Sequence, residues 1–129
     1  MITFPVKTNA KEELIDITTE VEKAVRESKV KDGVCYIYTP HTTAAITINE
    51  NADPDVRRDM LKGLAHLNFE SVRFAHIEGN SPAHLKSSII GCSEFVFVEN
   101  SSLSLGTWQG IYFCEFDGPR NRKVYVTIK

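Results

Sequence analysis

The sequence predicts an α+β fold, a single domain over residues 1–129 with mixed or antiparallel sheets and two or three helices, on three observations. Helical and β-type patterns are interspersed from the N-terminus to Gly91, whereas everything after Gly91 is β-rich. Asp117-Gly118-Pro119-Arg120-Asn121 supplies turn chemistry between the last two apolar runs, which predicts a hairpin there. A chain of 129 residues, 42% hydrophobic and 25% charged, has the makeup of an ordinary globular protein and is long enough to bury one core.

Ile2 to Thr8 reads as a strand and Glu13 to Ile17 as a short second one, with Asn9-Ala10-Lys11 turning between them. Thr19 followed by Glu22 fits a capping box, and Val21, Ala24, Val25 and Ser28 then form a helical stripe that ends near Asp32-Gly33. Val34-Cys35-Tyr36-Ile37-Tyr38 is β-rich and apolar on both faces, the pattern of a central strand. Ala44 to Asn49 is the next strand. Asp53 and Pro54 open a helix as N-cap and first-turn proline, with Val56, Met60, Leu64 and Leu67 on one face and Arg57, Arg58, Asp59 and Lys62 toward water. Within 69–78, Val72-Arg73-Phe74 reads as a short strand. Ser81-Pro82 opens a further helix that Gly91 closes, with Leu85 and Ile89 on its buried side and Ser87 and Ser88 on the polar one. Phe95 to Glu99, Ser102 to Leu105, Ile111 to Phe116 and Val124 to Ile128 complete the strands.

A formal charge of -2 provides no basic field, so neither nucleic acid nor an anionic membrane surface is an expected partner. No apolar run has the length of a membrane span and the first residues lack signal-peptide character, so a cytoplasmic location is expected. Cys35, Cys92 and Cys114 are an odd number, far apart and without a Cys-x-x-Cys pair; Cys35 and Cys114 sit in apolar runs and read as buried thiols.

Chemistry concentrates at three histidines set among small polar residues: His41 in Pro40-His41-Thr42-Thr43, His76 in a segment with Glu78 and Asn80, and His84 in the first turn of the helix opened by Ser81. Neutral imidazoles are common ligands for zinc-like ions, and three of them leave a position open for water or substrate. The helix dipole at His84 favours the neutral, ligating form. The spacing is not itself a metal motif, and any one of these histidines taken alone reads as a hydrogen-bonding side chain; His66, on the helix with Arg58 and Lys62, is assigned to that structural role outright. Glu50, between Asn49 and Asn51, is the best general acid-base candidate. In Gly106-Thr107-Trp108-Gln109-Gly110 the glycines permit close backbone approach, and Trp108 is either the wall of a ring-binding site or a core side chain at a bend. Arg120-Asn121-Arg122-Lys123 reads as solvated charge on a turn.

His41-Thr42-Thr43-Ala44-Ala45, Asn49-Glu50-Asn51-Ala52-Asp53-Pro54-Asp55-Val56, Ala83-His84-Leu85-Lys86-Ser87-Ser88-Ile89-Ile90-Gly91 and Leu105-Gly106-Thr107-Trp108-Gln109-Gly110-Ile111 together resemble the YjbQ-like family, described as secondary thiamine-phosphate synthase enzymes. The resemblance covers nearly the whole chain. It implies a compact α+β subunit assembled as a homotrimer, with pockets near subunit contacts. It also implies a site in which His41, His76 and His84 hold a divalent metal (zinc or magnesium) or a diphosphate. The implied reaction joins a hydroxymethylpyrimidine diphosphate to a thiazole phosphate and releases pyrophosphate. In that site Glu50 and His84 would be catalytic, Trp108 would pack on the ring, and Thr43, Asn49, Asn51, Asn80 and Gln109 would contact substrate. Many relatives carry an additional histidine where this chain has Pro82, which removes one candidate ligand. Metal-assisted phosphate-ester hydrolysis and non-catalytic binding of a phosphorylated metabolite are the alternatives that the same residues suit.

Overall fold

The structure, a computed structural model, describes residues 1–129. Its strands are β1 (Ile2–Lys7), β2 (Glu13–Asp16), β3 (Gly33–Tyr38), β4 (Ala44–Glu50), β5 (Ser93–Glu99), β6 (Ser102–Leu103), β7 (Gln109–Glu115) and β8 (Asn121–Ile128). Its helices are α1 (Thr18–Ser28), α2 (Pro54–Ala65) and α3 (Ser81–Ile90), with a single 3-10 turn at Phe69–Ser71. The expected α+β class is met, and every pairing is antiparallel. No helix is long and apolar enough to cross a membrane.

Two sheets stack face to face. The larger runs β1-β8-β3-β5-β6 and the smaller β2-β7-β4. Strand alternation sends Cys35, Ile37, Val96, Val98, Val124 and Val126 inward from the larger sheet, to meet Ala44, Ile46, Ile111 and Phe113 from the smaller one. Val21, Ala24 and Val25 of α1 join this core. The other face of the smaller sheet carries Ala45, Tyr112 and Cys114, which α2 and α3 cover with Met60, Leu61, Leu64 and Ala83. The smaller sheet is thus buried by apolar side chains on both faces, as layered packing requires.

The predicted hairpin at Asp117–Asn121 does not form. β7 pairs with β2 and β4, while β8 pairs with β1 and β3, so this turn carries the chain from one sheet to the other. β3 is central as expected but not apolar-buried on both faces, because Tyr36 and Tyr38 point away from the core and stay exposed. The capping box is also displaced. α1 begins at Thr18, whose N–H and hydroxyl both donate to Asp16 Oδ1 (2.9 and 2.6 Å), and Thr19 caps nothing. Burial of Ile17 draws the chain in one residue before Thr18, which leaves the Asp16 carboxylate as the acceptor within reach. Val72–Phe74 pairs with no other segment and is not a strand.

α2 starts as expected, with Asp53 accepting the Asp55 N–H at 2.9 Å. It ends at Ala65, so Leu67 lies outside it and is exposed. Arg57 does not face water. Its guanidinium lies 5.0 Å from the Tyr112 ring centroid and donates to the Tyr112 hydroxyl, which itself donates to the Glu50 carbonyl. α3 is turned relative to expectation: Pro82, Ala83, Lys86 and Ser87 are buried while Ile89 is exposed. Small side chains one turn apart let this helix approach Ala45 closely, and Lys86 tolerates burial because Glu12 accepts from its ammonium at 2.8 Å. A two-residue turn at Asn100 and Ser101, both left-handed (φ 51° and 64°), joins β5 to β6.

Candidate functional site: a polar pocket at one end of the sheets

One end of the sandwich is closed by a buried ion pair. Glu115, the last residue of β7, is fully buried and points between the sheets, where Arg122 of β8 meets it. Arg122 Nε donates to Glu115 Oε1 at 2.9 Å, and its Nη2 reaches both Glu115 Oε2 and Thr43 Oγ1 (2.8 Å to the latter). Thr8 Oγ1 adds a hydrogen bond to Glu115 Oε1 at 2.7 Å. Burial by itself would raise the Glu115 carboxyl, but bonds from Arg122, Thr8 and the Asp117 N–H, with the guanidinium charge, hold it below its ordinary range.

Above this pair opens a pocket of about 390 Å³, and of the eleven residues lining it all but Pro40 are polar or charged. His41, Thr43, His76, Asn80 and His84 all line it. Five of the sequence-predicted residues therefore converge, although they come from the β3–β4 loop, β4's approach, the segment before α3, and α3 itself. The His76 and His84 rings stand edge to face, 5.6 Å between centroids. Asn80, just before α3, donates to Asp117 Oδ2 at 2.8 Å, while its own Oδ1 is buried without a partner. Burial would raise Asp117, but Asn80 and Arg120 bonds outweigh it and keep the carboxylate ionised.

Arg120 and Arg122 line the same pocket, against the reading of this segment as solvated turn charge. The strand that begins at Asn121 places Arg122, Val124 and Val126 on one inward face, and only 7% of Arg122 remains exposed. That alternation was the available signal. Glu115, inside an otherwise apolar run, was the second: a buried carboxylate calls for a cation. His41 sits among the resulting positive charges. Burial first, then Arg122, lowers its pKa, with Lys123 and Arg120 adding to this and only Glu115 opposing. Its Nε2 accepts the Lys123 backbone N–H at 3.0 Å.

The remaining candidates lie elsewhere. β4 and β7 run antiparallel, with Ala44 opposite Glu115 at the pocket end and Glu50 opposite Gln109 at the other. Six residue steps separate those ends, about 20 Å at roughly 3.3 Å per residue. Asn49, Glu50, Asn51, Trp108 and Gln109 therefore stand at the far end of the smaller sheet and share no pocket with the histidines in the subunit. Trp108 is 63% exposed and is not a core residue. The local turn is closed by the Gly106 N–H donating to Gln109 Oε1 (2.8 Å) and by the Asn51 N–H donating to the Trp108 carbonyl (2.9 Å). Asn51 also fills the space a β-carbon on Gly110 would take, with Cγ 2.7 Å from it. His66 accepts its expected structural role, its Nδ1 lying 2.9 Å from the Lys62 carbonyl at the end of α2.

Cys35 and Cys114 are buried thiols as expected. Burial pushes Cys35 up to about 11 and Cys114 up to about 12. Glu115 plays no part in the latter, since adjacent strand residues face opposite sides of the sheet.

The donor set does not fit an ion held by three histidines as the rings stand. No group of three or more histidine, cysteine or acidic side chains is arranged to hold a metal. The Nε2 lone pair of His41 is taken by Lys123. The His76 and His84 ring centroids, 5.6 Å apart, are near the roughly 5 Å expected for two imidazoles on one tetrahedral ion.

The family model for YjbQ-like UPF0047 proteins matches residues 2–129. A UPF0047 protein of Methanocaldococcus jannaschii is 56% identical over 97% of this chain and 91% of its own length. The UPF0047 protein YugU of Bacillus subtilis is 55% identical over 98% and 96%. Among solved structures, an uncharacterised conserved protein of Clostridium acetobutylicum superposes with a TM-score of 0.97 at 54% identity, covering 100% of both chains. A protein of unknown function from Sulfolobus solfataricus superposes at 0.93 with 36% identity, covering 98% of this chain and 94% of its own. Sequence and architecture agree along the full length: the chain belongs to the YjbQ-like UPF0047 family.

Proposed function

We propose that the histidine pocket binds a phosphorylated small metabolite and that the chain acts as a transferase of the thiamine-phosphate synthase type. The observation that carries this reading is the convergence of three histidines and two arginines on one pocket whose lining is polar or charged apart from Pro40. Phosphate oxygens need donors and positive charge, and this lining supplies both. A neighbouring hollow of about 200 Å³ shares Glu78, Asn80 and Asp117 with the pocket and adds Ala83 and Phe116 alongside the charged Lys11, Glu12 and Glu70, so an organic group attached to the phosphate has room beside it with some apolar wall.

In the proposed reaction the thiazole nitrogen lone pair forms a bond to the pyrimidine methylene carbon. The carbon–oxygen bond to the diphosphate breaks, and pyrophosphate leaves with that electron pair. No proton moves in this step, so it requires charge stabilisation of the leaving group rather than a general base. His41, Arg120 and Arg122 are the groups assigned to contacting the diphosphate, and His84, with His76, would hold any divalent cation that shares its charge. Within one subunit Glu50, Trp108 and Gln109 stand about 20 Å away along the strands and do not reach this pocket.

Assembly as a homotrimer belongs to the same proposal. It is supported by the uncovered face of the larger sheet, where Tyr36, Tyr38, Phe95 and Phe97 are 42–58% exposed. Neighbouring aromatic side chains on one sheet face mark an interaction surface.

Incubation with a hydroxymethylpyrimidine diphosphate and a thiazole phosphate tests the activity. The joined thiamine phosphate and pyrophosphate are expected, and His84→Ala should abolish turnover in a protein that still folds. Release of free alcohol and phosphate instead would assign hydrolysis. Full activity in His84→Ala would overturn the assignment of this pocket.

A further inference from the structure

The three pocket histidines differ in what they can offer a ligand. A neutral imidazole has one lone-pair nitrogen and one N–H. At His41 the lone pair is on Nε2, because the partner there is the Lys123 backbone amide, which can only donate. Nδ1 therefore carries the proton and makes no hydrogen bond within the chain. A metal ion requires a lone pair, which Nδ1–H does not have. Ligation through Nε2 would require the ring to release the Lys123 N–H. An oxyanion, by contrast, requires what Nδ1–H provides.

The surroundings favour the same partner. Arg120 and Arg122 line the pocket with His41, and Lys123 supplies the adjacent backbone amide. Glu115 is the one carboxylate acting on this ring, and it is already hydrogen-bonded by Arg122 and Thr8. Glu78 and Asp117 line the pocket too, and Asp117 is ion-paired with Arg120 at 3.0 Å. His41 is therefore held neutral and pre-oriented, a donor that needs no reorganisation when an anion arrives.

We infer that His41 is a fixed Nδ1–H donor to a phosphate-type oxyanion seated beside Arg120 and Arg122, and that it is not a metal ligand of this pocket. The inference rests on the reading that the pocket takes a phosphorylated molecule, and it divides the histidines: His41 for the anion, His76 and His84 for any divalent cation.

Long-range proton–nitrogen correlation spectra of the ¹⁵N-labelled full chain at neutral pH test it directly. The expected result is the Nδ1–H tautomer at His41, a shift of that Nδ1 on adding inorganic pyrophosphate, and no change at His41 when zinc alone perturbs His76 and His84. His41→Gln keeps an oxygen positioned to accept the Lys123 N–H but lacks the Nδ1–H, so it should fold as the parent does. Its affinity for pyrophosphate should fall about tenfold or more, the effect of losing one hydrogen bond to a charged group, with unchanged zinc affinity. An Nε2–H tautomer, or zinc affinity that falls in His41→Gln, would overturn the inference. So would pyrophosphate moving His84 and leaving His41 unmoved. If pyrophosphate moves none of the pocket imidazoles, the proposed function itself fails, and this inference with it.

Discussion

Replacing Glu115 with glutamine tests whether a buried ion pair closes the pocket end of the sandwich. The carboxylate is fully buried and accepts from Arg122 Nε at 2.9 Å, from Arg122 Nη2, from Thr8 Oγ1 at 2.7 Å and from the Asp117 N–H at 3.2 Å. An amide keeps one acceptor oxygen and turns the other position into a donor, which then faces a donor. Two charge-assisted bonds are lost or inverted, at about 1.5–3 kcal/mol each, and the Arg122 guanidinium is left buried without a counter-charge. Removing one member of a buried pair typically costs about 3–5 kcal/mol, in agreement with that sum. Against a total stability on the order of 5–15 kcal/mol, this is a large fraction. Urea unfolding followed by circular dichroism should show the loss. Glu115→Leu combined with Arg122→Met should recover most of it, because apolar replacement removes both desolvation penalties. A loss under about 1 kcal/mol for Glu115→Gln, the value of an exposed pair, would refute the argument, as would a double variant less stable than the single one.

Three further outcomes follow from other parts of the structure. Acidification should act in two steps. The native pKa of His41 lies below its unfolded value, so the unfolded chain binds that proton first and stability falls as pH drops below about 6.5; Glu115, Asp117 and Asp16, also lowered, contribute stability that is full above about pH 4.5 and is lost as pH falls through their native values. Unfolding midpoints across pH check this, and His41→Gln should remove the first step only. Gly110→Ala should destabilise by about 1–3 kcal/mol, the usual cost of overpacking, because its β-carbon would stand 2.7 Å from Asn51 Cγ, and Asn51→Gly in the same chain should restore part of the loss. Phe97→Glu, on the exposed aromatic face, should leave the fold intact but reduce the assembly to single subunits in light scattering; a variant that remains oligomeric places the contact elsewhere.

Much of the fold was legible because it is local. Pro54 and Pro82 near the helix starts, and the run of strands after Gly91, gave element types that the structure keeps. What was not legible is non-local. Asp117–Asn121 has the composition of a hairpin turn, and nothing in those five residues says that β7 and β8 belong to different sheets. α3 carries both small and branched apolar residues, and only the presence of Ala45 beneath it decides that Ala83 and Ser87 face inward while Ile89 does not. The site divides in the same way. His41, His76 and His84 were picked for their chemistry and do converge. Arg122 was discounted because its neighbours are polar, although its alternation with Val124 and Val126 pointed inward. Glu50 and Trp108 stand apart from the histidines because an antiparallel pair of seven-residue strands separates its two ends, a consequence of register rather than of residue type.

The proposed function requires that phosphate oxygens sit in the histidine pocket. A crystal structure of the chain grown with inorganic pyrophosphate measures this most directly. The expected anion is hydrogen-bonded to His41 Nδ1 and to at least one of Arg120 and Arg122, with the Lys123 N–H still on His41 Nε2. Pyrophosphate bound at the Trp108 and Glu50 end, with the histidine pocket holding none, would contradict it.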